Sequence, residues 1–470
     1  MFKRIFYTQC QVRHLTTSCI KRNIFKDIKT LQPLQQHAPT FYTHGQHVKP
    51  LYQPSAFYAE LKSRILSAKE RVFIAALYIG HSEKELVDTI RTALSQSSTL
   101  QVHILIDCLR GTHYPKQIKV SLYHTPDLTG ILKKALPQRF NETIGLMHLK
   151  LYGFDNTIML SGANLSTDYF VNRQDRYILF DQQPELTTYY HDLLKLVSSC
   201  SYHLVPAQNN NSKYRLELSD SMADPVKESQ RYKSLVHSRL QQFLIEYQNR
   251  KVQQEDTMDT AILPVIQMGP FCIRQDEKVT LELLNIANQQ QDKWTIHLTS
   301  GYFNFTDKYK AVILKTRAFF RFLTASPEAN GFFNSKGVSK FLPPAYTHIE
   351  KQFYRHVKRA GRQDEISIEE YKRPGWTYHA KGLWVYFGNE SRPSMTMIGS
   401  PNFGQRSSER DLEAQAVVIT QNEQLKNALH KEIDLLHQHS ELVSKETFDR
   451  QDRRVPYGVR IATAFVKTML

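Results

Sequence analysis

The sequence predicts an α/β protein made of two duplicated α/β/α halves, packed face to face around one shared active site. Three observations predict it. A β-α-β order occurs near the N-terminus and again after residue 290, a His-x-Lys pair stands in each half, and in each half an asparagine is followed eleven residues later by a carboxylate. A β-α-β order normally builds parallel strands with helices on their faces. Its recurrence, with the same chemistry at the same offsets, reads as duplication.

The elements follow in chain order. The first thirty residues carry Lys3, Arg4, Arg13, Lys21, Arg22, Lys26 and Lys29 against one acid, Asp27, with apolar residues such as Phe2, Ile5 and Phe6 between them. An acid-poor, arginine-containing, partly amphipathic start predicts a mitochondrial transit peptide, placed over residues 1–35. The first half is expected over residues 40–207: an amphipathic helix at 54–70, a buried strand at 71–79, a helix at 82–94 and a strand at 101–107. Residues 208–260 are polar and hold an asparagine run and a charged helical stretch at 226–254, which predicts a connector with a surface helix. The second half, 261–470, repeats strand 294–298, helix 307–315, strand 318–324 and a basic amphipathic helix at 346–360. Its last twenty residues set Arg453, Arg454, Arg460 and Lys467 among Val459, Ile461, Phe465, Val466 and Leu470, a pattern that suits either an interfacial anchor or a terminal packing segment.

Composition narrows the chemistry. The formal charge is +16, and about +10 remains after the leader, so the partners expected are anionic. The five cysteines, Cys10, Cys19, Cys108, Cys200 and Cys272, form no CxxC pair. Neither a disulfide framework nor a structural zinc site is supported. The longest apolar runs, such as 72–80, fall far short of the roughly 20 residues that span a bilayer. If the chain works at a membrane, it lies on one.

His-x-Lys occurs four times, and context separates the pairs. His47/Lys49 runs into Pro50, and His356/Lys358 sits among Arg355 and Arg359 on a helical basic face. His148/Lys150 and His379/Lys381 instead open strand-like segments. Each is followed by a second strand and a small-residue turn, Ser161-Gly162-Ala163-Asn164 and Gly399-Ser400-Pro401-Asn402. Eleven residues beyond each asparagine stand Asp175 and Glu413, each leading into an apolar strand. On a strand, residues i and i+2 share a face about 6.5–7 Å apart. Each half thus offers an imidazole beside an ammonium, a Ser/Asn loop, and a carboxylate able to orient the imidazole. Two facing halves would surround a phosphate with groups suited to nucleophilic phosphoryl transfer without a metal.

At these residues the chain resembles the phospholipase D superfamily, whose signature HxKx4D with a GSxN-like turn is present twice. His148, Lys150 and Asp155 fit the full pattern. The second copy has Tyr386 where the aspartate would stand, while the first has Leu160 where the turn glycine would stand. The runs MHLKLYGFDNTIMLSGANLSTDYFVNRQDRY (147–177) and GWTYHAKGLWVYF (375–387) resemble the branch of eukaryotic mitochondrial phosphatidylglycerophosphate synthases. The resemblance implies a transferase that converts CDP-diacylglycerol and glycerol 3-phosphate into phosphatidylglycerophosphate and CMP; the chemistry expected of it requires no cofactor, and whether a divalent cation assists the diphosphate is left open by the sequence. It implies that His148 attacks the donor and His379 serves as acid and base, with Lys150, Lys381 and Asp155 completing the catalytic set and Asp155 in a positioning role. Ser161, Asn164, Ser400 and Asn402 would bind phosphate, and Asp175 and Glu413 would orient the histidines. Lys372, Arg373, Arg406 and Arg410 are candidates for the acceptor's phosphate, or a solvated rim.

The implied setting is the matrix side of the mitochondrial inner membrane, on an anionic lipid surface. Two other readings stand beside this one. A phospholipase D-like hydrolase of phospholipid or nucleic acid would use the same histidines with water as acceptor, although no nucleic-acid-binding motif is present. A non-catalytic anionic-lipid-binding protein is the reading prompted by Tyr386.

Overall fold

In the computed structural model the described residues are 24, 29–108, 118–128, 145–207, 214–250 and 255–466, with side chains to residue 463. They form two large sheets. In the first, Arg71–Ala76, Gln101–Asp107 and Ile118–Tyr123 run parallel. Leu151–Phe154, Thr157–Ser161, Tyr177–Phe180 and Val48–Leu51 continue it antiparallel from Arg71–Ala76. The second sheet repeats that plan. Thr295–Ser300, Phe319–Ala325 and Ile366–Tyr371 are parallel, and Gly382–Tyr386, Met395–Gly399, Leu412–Thr420 and Thr260–Met268 continue antiparallel. The duplication therefore extends strand for strand through seven positions of each sheet.

Strands such as Arg71–Ala76 and Tyr177–Phe180 are apolar without alternation because both of their faces are covered. The helices Pro54–Ser67 and Lys84–Gln96 bury Phe57, Leu61 and Ile90 against the outer face of the first sheet. Gln275–Gln289 and Leu342–Arg359 do the same for the second, through Val279, Leu283, Ile349 and Phe353. Between the sheets, Tyr189, Tyr190 and Leu193 on Pro184–Ser199 and Leu429 and Ile433 on Glu423–His437 share one central core with Leu160, Ile178, Trp384 and Ile398. Each half is thus α/β/α, and the largest core joins them.

Three boundaries differ from the sequence reading. Residues 41–43, assigned to the first half, pair with Thr260–Met268 and extend the second sheet. Residues 214–217, assigned to the connector, pair with Tyr202–Pro206 at the edge of the first. The surface helix of the connector is Ser229–Asn249. Residues 29–35, assigned to the leader, belong to the fold, since Leu31 and Leu34 are fully buried in the outer core of the second half. The spacing of apolar residues in that short piece is too brief to register as an element. The rest of the leader, residue 24 apart, lies outside the described residues.

Among the described residues no helix is long and apolar enough to cross a membrane.

Candidate active site

The turn before each histidine crosses to the other half. Tyr378 pairs in parallel with Gln174, and Met147 with Leu412. His379 N–H donates to the Gln174 carbonyl at 2.8 Å, and His148 N–H to the Leu412 carbonyl at 2.9 Å. In parallel register the next residue on each strand is then a neighbour of the next on its partner, so His379 meets Asp175 and His148 meets Glu413. His379 Nδ1 lies 2.7 Å from Asp175 Oδ2, and His148 Nδ1 lies 2.8 Å from Glu413 Oε2. A carboxylate only accepts, so each Nδ1 carries the proton, and Nε2 of His148 is left for the cleft while Nε2 of His379 meets the Tyr169 hydroxyl at 3.4 Å. Each half's carboxylate orients the other half's imidazole, a correction to the expectation that each half would be self-contained.

Burial governs the electrostatics. Both imidazoles are held well below the ordinary histidine value, first by desolvation and then by Lys150 beside His148 and Lys381 beside His379. Lys381 also lowers His148, and Lys150 and Lys381 each feel both Asp175 and Glu413, so the two motifs share one cavity. Burial brings the Lys150 amine down to about 7 and that of Lys381 to about 8. Each ammonium donates to the carbonyl of its own histidine, at 2.8 and 2.7 Å.

The remaining candidates divide. The Asn164 amide reaches Leu77 N–H and the Tyr169 hydroxyl, each at 3.3 Å, while the side-chain oxygen of Asn402 is buried without a partner. Ser161 Oγ donates to the Arg176 carbonyl at 2.7 Å and Ser400 Oγ to that of Ala414 at 3.3 Å. These hydroxyl protons are spent on bracing the turns, so the expectation that the two serines bind phosphate is corrected. Asp155 is corrected as well. Its carboxylate accepts the backbone N–H groups of Lys69, Glu70 and Arg71 at 2.9 Å, seven residues of extended chain beyond His148. Tyr386, in the matching place, bonds His430 at 3.0 Å. The motif's last residue is structural here, which removes the reason for suspecting a decayed site.

Of the four basic candidates, Arg406 lies beside the site, pairing with Asp411 at 3.0 Å and lowering His148. Arg410 ends the same short helix, its N–H on the Arg406 carbonyl. Lys372 lies 3.8 Å from Glu328, and Arg373 is stacked on Trp376.

Several neighbours of the histidines escaped the sequence reading. Tyr169 and Tyr302 stand edge-on to His379, with centroids 5.2 and 6.0 Å away, and Tyr346 stacks on Tyr302. Arg173 lies over the Tyr169 ring, pairs with Asp168 at 3.2 Å and lowers His379. The register that aligns Asn164 with Asn402 also aligns Asp168 with Arg406 and Arg173 with Asp411. The ion pair is therefore duplicated with its charges exchanged. His148 feels Asp411 as well as Arg406, whereas His379 feels the Arg173 guanidinium, so the two histidines are not equivalent.

His148, Asp411 and Glu413 place three ligand atoms within 4.8 Å of one another, a set able to hold a cation. In this structure those atoms satisfy one another and their surroundings, with Asp411 also accepting from Leu146 N–H at 2.9 Å.

Comparison with known proteins finds relatives over most of the chain. A family model described as "Cardiolipin synthase, PLD-like domain" matches residues 61–196. The human protein named mitochondrial CDP-diacylglycerol–glycerol-3-phosphate 3-phosphatidyltransferase is 39% identical over 94% of this chain and 86% of its own length. The Saccharomyces pastorianus protein named as the same transferase is 38% identical over 92% of this chain and 90% of its own. Among solved structures, phosphatidylserine synthase of Haemophilus influenzae superposes with a TM-score of 0.69 at 17% identity, covering 95% of this chain and all of that one. At that identity the likeness speaks to fold.

Proposed function

The chain belongs to the CDP-diacylglycerol–glycerol-3-phosphate 3-phosphatidyltransferase family of phospholipase D-like proteins, and from that premise we propose how its residues perform the transfer. It is a mitochondrial enzyme that makes phosphatidylglycerophosphate and CMP from CDP-diacylglycerol and glycerol 3-phosphate. The observation that carries the mechanism is the exchanged pairing of His148 with Glu413 and His379 with Asp175.

His148 is the nucleophile. Its Nε2 has no hydrogen-bond partner among the described residues, whereas Nε2 of His379 has the Tyr169 hydroxyl at 3.4 Å, and the Lys381 ammonium lies against the same ring, 2.6 Å from Nδ1 and 3.0 Å from Nε2. Attack by Nε2 on the phosphatidyl phosphorus makes the P–N bond and leaves positive charge on the ring, which Glu413 and Asp411 stabilise. The P–O bond to CMP breaks, and His379 gives its proton to the departing oxygen. The protein's own groups hold His379 neutral, and the anionic diphosphate supplies the field that lets it carry that proton. Arg173 beside it then makes the proton easy to release.

In the second step the glycerol 3-phosphate hydroxyl gives its proton to His379 as its oxygen attacks phosphorus, and the P–N bond breaks. Lys150, Lys381 and Asn402 balance charge on the non-bridging oxygens. Arg406 is the basic candidate placed to receive the acceptor's phosphate. No step requires a cation. We further place the protein on the matrix face of the inner membrane, peripheral and resting on anionic lipid.

The test is a trapped intermediate. CDP-diacylglycerol labelled in the lipid, mixed with enzyme and quenched before acceptor is added, should leave label on protein that glycerol 3-phosphate chases into phosphatidylglycerophosphate. Phosphatidic acid as the dominant product at saturating acceptor would identify a hydrolase instead.

A further inference from the structure

Among the described residues, eleven large apolar side chains are exposed, and five of them fall in two short stretches. Phe333, Val338 and Phe341 belong to the segment leading into the helix Leu342–Arg359, and Tyr457 and Ile461 belong to the helix Tyr457–Val466. Tyr457 and Ile461 are four apart and therefore lie on one stripe. The opposite side of that helix packs on Leu342–Arg359, where Val455 and Val459 close over Ala345. Both stretches thus flank the first turns of one helix.

Basic side chains rim them. Lys336, Lys340, Arg454 and Arg460 are all exposed, with the Lys340 ammonium 5.0 Å from the Phe341 ring centre. An aromatic and aliphatic surface ringed by lysine and arginine suits the boundary of an anionic bilayer, where apolar tips enter the acyl region and cations meet headgroups.

The same turn connects this surface to the site. Tyr346, next to Ala345, turns inward to stack on Tyr302 at 5.0 Å, and Tyr302 stands edge-on to His379. Phe332, next to Phe333, also meets Tyr302, with centroids 5.9 Å apart. Two residues adjoining the patch thus contact the tyrosine that stands against His379.

We propose that Phe333, Val338, Phe341, Tyr457 and Ile461, with the basic rim around them, form the face by which this chain sits on an anionic bilayer, so that the cleft opens where a donor's acyl chains can stay in the lipid. This rests on reading the donor as a membrane lipid.

The test separates binding from turnover. Full-length protein is sedimented with vesicles of phosphatidylcholine alone and of three parts phosphatidylcholine to one part phosphatidylglycerol. The parent should pellet with the anionic vesicles, more weakly at high salt. Phe341→Asp/Ile461→Asp should bind them at least tenfold more weakly. Lys336→Gln/Arg460→Gln, which leaves the apolar tips in place, should lose on the order of fivefold per charge. Ile245→Asp, on the exposed surface of Ser229–Asn249, controls for loss of a surface apolar residue and should bind as the parent does. With donor dispersed in detergent micelles all variants should turn over as the parent does, while with donor in vesicles the first two should slow. Unchanged vesicle binding in both patch variants would overturn the proposal, as would an equal loss of turnover in micelles, which would make the segment part of the cleft. Pelleting requires no catalysis, so a protein that binds vesicles as described but forms no product would count against the transferase reading alone.

Discussion

Nδ1 of His148 is bonded to Oε2 of Glu413, 265 positions later in the chain and on the opposite sheet. His379 and Asp175 mirror it across 204 positions. A carboxylate variant should therefore show the defect of the histidine in the other half. Glu413→Gln should slow formation of the labelled intermediate by on the order of 10²–10⁴, the usual worth of a positioned acid-base partner. Asp175→Asn should spare labelling more and slow release to glycerol 3-phosphate. Rapid-quench measurement of the two steps checks this, and the reverse pattern would mean that the pairs work within each half.

The lysines give a pH signature. Lys150 titrates near 7 in the fold against 10.5 as a free side chain. Between those values the unfolded chain holds the proton that the folded chain has released, so the unfolded state binds more protons and stability rises with pH. The burden on the fold is full below about 7 and gone above about 10.5. Lys150→Met should thus melt higher than the parent at neutral pH while being inactive, with the gap closing as pH rises. Lys381, near 8, adds a second such window. Binding of an anionic phosphate should restore the charge, and calorimetry in buffers of different ionisation enthalpy should record proton uptake near pH 8.

Arg176 holds the halves together. Fully buried, it donates to both oxygens of Glu432 at 3.0 and 2.9 Å, to the carbonyls of Lys381 and Met397, and to Thr396, and it lies 3.8 Å over Trp384. Gly382, at φ 123°, makes room, since a Cβ there would lie 2.2 Å from the guanidinium. Arg176→Met strands Glu432 and should cost about 3–5 kcal/mol. Arg176→Met/Glu432→Gln should recover part of it, as urea denaturation would show.

The turns separate support from chemistry. Ser161→Ala leaves the Ala163 N–H and the Arg176 carbonyl short of a partner, and should lower stability by about 1–3 kcal/mol while KM for the donor holds. Asn402→Ala removes a buried polar group that the protein itself leaves unpaired. It should leave stability near that of the parent and cut kcat by on the order of 10². Comparable losses of turnover in both variants would return the serine to phosphate binding.

Processing of the leader is also constrained. Ile24, Leu31 and Leu34 are fully buried in one core, so cleavage at residue 35 would strip three core side chains, and mature protein should begin before Ile24. N-terminal sequencing of protein recovered from mitochondria decides it, and a chain starting at residue 36 should melt several degrees lower than one that keeps Ile24, Leu31 and Leu34.

Much of the fold was legible because its signals are local. The strand at 101–107 and the helix at 307–315 match their observed bounds, since unbroken apolar runs and helical spacing are written along the chain. Both histidines, both lysines and both carboxylates were legible from repeated offsets. What the offsets could not reveal was partnership, because Tyr378 pairing with Gln174 is a relation between distant segments. Arg173 and Asp411 were hidden by a different cause. Matching the halves by residue identity passes over a position where the charge is inverted, and only matching by position finds it. The edge strand 41–43 is three residues long, too short for any period to appear.

Duplication ordinarily leaves a spare, so that one copy is free to drift while the other keeps working. The exchanged histidine–carboxylate pairs abolish that freedom. Loss of Asp175 in the first copy disarms the histidine of the second, and loss of Glu413 in the second disarms that of the first, so neither copy backs up its twin. The two halves have separate sheets but one shared fate, and selection on either is selection on both.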